Sequence, residues 1–168
     1  MDKKYGGIAL CIVLISLVFT LVTVKLTGVD EKGGIPDISG ADEATLTAQE
    51  GSYSLKITTV FDAEPDPSES DAPEAERVAV VVYEYTNDDI THGLSIGNAH
   101  FKAYDADGKE LEQYPQNNLF EPGEVGASGT FTASVAFALN NDENYLKIEF
   151  YNDISGKKPD AVFEQNWQ

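Results

Sequence analysis

The chain has 168 residues, with 29 Asp and Glu against 11 Lys and Arg and a formal net charge of −18. A surface of that sign repels phosphate backbones and anionic lipid headgroups alike, so no nucleic-acid partner is expected. The single cysteine, Cys11, leaves no pair for an intramolecular disulfide, and any folded domain must rest on its own core.

The first element is an uncharged stretch from Gly6 to Val24, behind Lys3 and Lys4. At roughly 1.5 Å of rise per residue, a helix of about 19 residues nearly matches a hydrocarbon core of about 30 Å. The two lysines favour a cytoplasmic amino end by the positive-inside bias. The expectation is a single-pass membrane protein: the N-terminal helix meets the lipid bilayer, and everything after Lys25 lies outside the cell. A cleaved secretory signal would share the charged start, but its apolar middle usually runs about 7 to 15 residues before small residues. Here Val24 to Gly28 offers no Ala-x-Ala exit. Cys11 sits near the start of the apolar run, not after it where a lipid-bearing cysteine would be.

After Gly28 the balance is 28 acids against 8 Lys and Arg, or −20. Three parts follow: an anchor over 1–28, a flexible tether over 29–44 and an extracytoplasmic domain over 45–168. The tether, rich in Gly, Asp and Pro, would hold the domain roughly 20 to 24 Å from the bilayer.

Within the domain, Tyr53, Leu55, Ile57, Thr59 and Phe61 alternate with more polar positions, the period-two mark of a half-buried strand over 52–61. Residues 62–76 hold three prolines, many acids and no apolar side chain larger than alanine, which predicts a mobile acidic loop. The run Arg77 to Thr86 is nearly all apolar or aromatic, as expected of a central strand covered on both faces. Ala99, Phe101 and Ala103 begin a hairpin that turns at Asp105-Ala106-Asp107-Gly108 and returns from Lys109 to Tyr114. Glu121-Pro122-Gly123-Glu124 has Pro and Gly where a type II turn needs them. Phe131, Ala133, Val135, Phe137 and Leu139 alternate along the clearest strand. Leu146, Ile148 and Phe150 mark another, and a short strand near Ala161 to Glu164 precedes Trp167.

About seven strands, short turns and no helical stripe beyond the anchor make the fold class all-β. The expected architecture is an antiparallel immunoglobulin-like sandwich of two sheets, with a barrel as second choice. The segments Val80–Asn87, Tyr104–Leu111 and Phe120–Glu124, in that order over about residues 46–164, resemble the immunoglobulin-like (telokin-like) domains of unknown function on exported proteins and lipoproteins of Gram-positive bacteria. That resemblance implies a sandwich fold and an envelope location. It supplies no activity.

Chemistry is sparsely provided. His92 and His100 are the only histidines, they lack zinc-site spacing, and no Gly-x-Ser-x-Gly turn occurs, so no enzyme is expected. Carboxylates are too plentiful to nominate a hydrolytic pair. Asp105, Asp107 and Glu110 around a glycine are the candidate calcium ligands, although the spacing stops short of an EF-hand and a plain hairpin turn explains it as well. Tyr145, Tyr151 and Trp167 are the candidate binding surface, with Tyr145 and Tyr151 on the same strand parity as Lys147 and Glu149. The expected function is an anchored extracytoplasmic module that binds an envelope or protein partner. A cation-responsive sensor is the alternative, and a hydrolase stands behind both. No cofactor is expected.

Overall fold

A computed structural model describes residues 43–48, 50–66, 68, 71–115 and 120–168. The expected membrane helix over Gly6–Val24 lies outside them, as does the tether up to residue 42. Among the described residues there is no α-helix, and none long and apolar enough to cross a membrane.

Within the described residues, eight strands form two antiparallel four-stranded sheets. They are β1 (Glu43–Ala48), β2 (Gly51–Ala63), β3 (Arg77–Asn87), β4 (Phe101–Tyr104), β5 (Glu110–Leu111), β6 (Thr130–Leu139), β7 (Tyr145–Phe150) and β8 (Ala161–Asn166). The first sheet has the order β1-β2-β3-β6 and the second β5-β4-β7-β8. The all-β expectation holds, and the arrangement is that of a sandwich.

Period-two alternation places the core between the sheets, as it must when each strand has one buried face. Leu55 and Ile57 from β2, Tyr83 and Tyr85 from β3, Val135 and Phe137 from β6 meet Phe101, Ile148, Phe150 and Phe163 of the second sheet. The rings pack in tilted and edge-on contacts, with centroids 4.5 Å apart for Tyr83–Phe101 and 5.3 Å for Phe101–Phe150. Each such aromatic, fully buried, stabilises the fold by about 1.5–3 kcal/mol. The buried Tyr83 hydroxyl donates to the Ile96 carbonyl at 2.8 Å, which removes the penalty of leaving it unpaired.

Several local readings change. β1 was not among the expected strands; its sequence, Glu43–Ala48, offers only Ala44 and Leu46 to the core. β2 does not keep one parity throughout, because a bulge between Ile57 and Thr59 slips the register. Val60 therefore turns into the core and Phe61 faces out, 41% exposed. Residues 121–124 make no turn. Gly123 is kept small by packing instead: a Cβ there would lie 2.5 Å from the Phe131 ring. The turn lies at Gly126–Gly129, where the Gly129 amide bonds the Gly126 carbonyl at 3.0 Å and Ser128 adopts φ 61°.

The hairpin return is also shorter than expected. β5 pairs with β4 at two positions only, after which the chain crosses to the first sheet. There Tyr114 N–H bonds Ala136 O at 2.8 Å, Ala138 N–H bonds Glu112 O at 2.9 Å, and Gln113 bridges Phe137. This crossing covers the β6 edge, which would otherwise present unpaired backbone groups.

The acidic connection between β2 and β3 is not without apolar support. Because β3 is apolar on both faces, Val78, Val80 and Val82 form with Tyr114, Ala136 and Ala138 a second cluster on the outer face of the first sheet. Ala72 and Ala75 lie over it. The Tyr114 hydroxyl accepts from Asp66 N–H at 2.9 Å, and Asn140 donates to the Glu74 carbonyl at 3.2 Å. The described part of this segment is a strap laid across the sheet.

Candidate functional site

Among the described residues, the outer face of the second sheet has no such cover. Register sets its side chains in rows: Glu110, Tyr104, Lys147 and Glu164 in one, Lys102, Glu149 and Val162 in the next, and Tyr145 beside Asn166. All alternate away from the core residues Phe101, Ala103, Leu146, Ile148 and Phe150.

Glu149 is the unusual member, a carboxylate only 9% exposed on an outward-facing position. Its Oε1 accepts from the Lys147 Nζ at 2.7 Å and its Oε2 from the Tyr151 hydroxyl at 2.7 Å, while the Tyr104 hydroxyl reaches toward the same carboxylate. Burial alone would push this carboxyl up; the hydrogen bonds from Lys147 and Tyr151 outweigh it and hold the group below the usual carboxylate range. The same contact raises Lys147 above an ordinary lysine. Burial, then the bond to Glu149, raises Tyr151.

Lys147 is thereby fixed from one side, with its ammonium 5.3 Å from the centroid of the Tyr104 ring. Its neighbour Lys102 is fixed in the same way by Glu110 at 3.0 Å. Two ammonium groups, each tied to a carboxylate, therefore stand on the same sheet face as Tyr104.

Because β5 is so short, no described strand pairs with the β4 edge at Phe101–Lys102. Gln113 takes over part of that role, its Nε2 donating to the carbonyls of Asn98 at 2.8 Å and Phe101 at 3.0 Å. The outcome is an open groove of about 630 Å³ with Phe101, Leu111 and Phe137 in its lining and the Lys102–Glu110 pair on it. The groove thus continues from the outer face, through shared residues.

The predicted binding residues do not form one stripe. Tyr145 is half-buried on this outer face, but Tyr151 is 9% exposed and held by Glu149, so the two are not exposed together. Trp167 belongs to another place, packed against the core with its indole N–H donating to Asp62 Oδ1 at 3.1 Å. Asp62 also meets Arg77 at 3.4 Å, so this group ties the C-terminal end of the described chain to the first sheet.

The candidate calcium ligands also separate. Asp105 is buried and accepts the Lys109 amide at 2.8 Å, which closes the hairpin turn around Gly108 at φ +78°. Asp107 is exposed, and Glu110 faces Lys102. Among the described residues no three His, Cys, Asp or Glu side chains come together as a metal site. His92 is exposed near Glu50. His100 stacks on Phe150 at 5.8 Å with Nδ1 2.7 Å from the Tyr151 carbonyl.

Sequence parity had marked Tyr145, Lys147, Glu149 and Tyr151 as one face. It had no signal for Tyr104 and Lys102, which arrive from β4 through long-range pairing.

The fold has solved counterparts. MPT63, a secreted protein from Mycobacterium tuberculosis, superposes with a TM-score of 0.58 over 76% of this chain and 97% of its own, at 13% identity. The ycdA protein of Bacillus subtilis, a lipoprotein candidate, gives 0.52 at 15% identity; the match covers 68% of this chain but only 36% of ycdA. The yjhA protein of Bacillus subtilis gives 0.50 at 7% identity, over 77% of this chain and 98% of yjhA. At these identities the likeness is one of fold. No protein-family description and no curated protein matches the sequence.

Proposed function

We propose that the chain is a non-catalytic extracytoplasmic binding module, held at the membrane by Gly6–Val24, whose ligand surface is the outer face of the second sheet. The observation that carries it is Glu149, a nearly buried carboxylate on an uncovered face. Burying a charge is costly unless it is paired and hydrogen-bonded. Here the pairing fixes Lys147 and Tyr104 in one geometry, a preorganisation that recognition can use. Outward location is supported by the fold shared with a secreted protein and a lipoprotein candidate, and anchoring by the length and flanks of the apolar run.

Two experiments test this. The full chain should partition into the detergent phase of a cloud-point separation, and lose that behaviour when 1–28 is removed. Capture of partners from its own envelope by the full chain should fall sharply in Lys147→Ala, compared at a temperature where its thermal melt shows the variant fully folded. Unchanged capture contradicts the assignment of this face.

A further inference from the structure

Resting on that reading of the face, we propose that its ligand is a neutral saccharide, a sugar ring lying against Tyr104 and Tyr145 while its hydroxyls bond the Lys147–Glu149 and Lys102–Glu110 pairs. The argument is one of charge and hydrogen-bonding capacity. The region after Gly28 carries −20, and an anion approaching it meets repulsion. The two lysines do not reverse this, since each is already answered by a carboxylate at 2.7 or 3.0 Å. A cation fares no better, because it would have to displace an ammonium from each pair.

A polyol suits such a surface. Every hydroxyl both donates and accepts, and each ion pair offers a donor and acceptors side by side in a set orientation. Asn166, in register with Tyr145, adds an amide with the same dual capacity. A sugar ring also has an apolar C–H face, and tyrosine offers a flat apolar body with a polar tip. Tyr104 sits across from Lys147 in register, and Tyr145 lies two residues from Lys147 on the same strand face. The groove of about 630 Å³ past Lys102 gives further sugar units a path toward Phe101 and Leu111.

Native gels containing soluble neutral polysaccharides (a β-1,4-glucan, a xylan, a mannan) or anionic ones (polygalacturonate, polyphosphate) decide the matter, run with the full chain in non-ionic detergent. At least one neutral polymer should retard the protein, and Tyr104→Ala or Tyr145→Ala should weaken this about tenfold. Thr132→Ala, on the other sheet, should leave it unchanged. No retardation by any neutral polymer overturns the saccharide assignment. Retardation only by an anionic polymer, lost in Tyr104→Ala, overturns the ligand class while the face stands. Retardation by a neutral polymer that both tyrosine variants preserve shows the face itself to be wrong.

Discussion

The outer faces of the two sheets solve the same problem in opposite ways. On the first sheet, Val78, Val80 and Val82 would meet water, and a strap carrying Ala72 and Ala75 covers them. On the second, most outward positions are tyrosines and charged groups that satisfy one another, and no described segment is laid over them. Covered apolar surface has its use inside the fold. On the proposed reading, the surface that keeps a carboxylate nearly buried and a lysine paired serves a ligand outside the fold.

The largest expected effect breaks the covered face. Val80→Asp places an unpaired charge at a fully buried position and should cost more than about 3 kcal/mol, so the domain fails to fold cooperatively in a thermal melt. A near-normal melt would mean that the strap does not cover this face. On the other sheet, Glu149→Ala leaves Tyr151 and Lys147 without their acceptor and should cost about 1–3 kcal/mol, with Glu149→Gln losing less. Tyr114→Phe removes the hydroxyl that holds Asp66. A loss of about 1 kcal/mol and faster proteolysis of the strap are expected, with unchanged cleavage counting against that tie.

Acid sharpens the comparison further. The folded state holds Glu149 below its ordinary value, so its contribution is complete above the unfolded carboxyl range of about 4.3 and is lost as pH falls through the lower folded value. The melting-temperature gap between wild type and Glu149→Gln should close on acidification; a gap independent of pH would contradict the ionised pair. Last comes Lys147→Ala. It takes the counter-charge from the nearly buried Glu149 but leaves the Tyr151 donor, so it should cost about 1 kcal/mol of stability while affecting binding most.

Much of this contrast was legible in the sequence, for identifiable reasons. Alternation in Thr130–Leu139 and Tyr145–Phe150 set the inward residues correctly, because burial between two sheets imposes a strict period. The unbroken apolar run of β3 announced cover on both faces, yet the cover itself was missed. The segment over 62–76 looked too polar to fix itself, whereas β3, β6 and Tyr114 supply the apolar partner its alanines need. The bulge after Ile57 left no local trace, so Phe61 was assigned to the wrong face. Pro122-Gly123 read as a turn because that pair is common in turns, when Gly123 serves instead to let Phe131 pack. At the site, parity grouped Glu149 with Tyr145 and Tyr151. Its burial depends on β4, more than forty positions earlier, and local pattern carries no such information.

The most direct test places a photo-reactive residue at Tyr145 or at Thr132, the exposed counterpart on the first sheet, in the full chain in living cells. Crosslinking to envelope material should be strong from position 145 and near background from 132. Equal yields from both, or a higher yield from 132, would contradict the claim that the uncovered second sheet is the ligand surface.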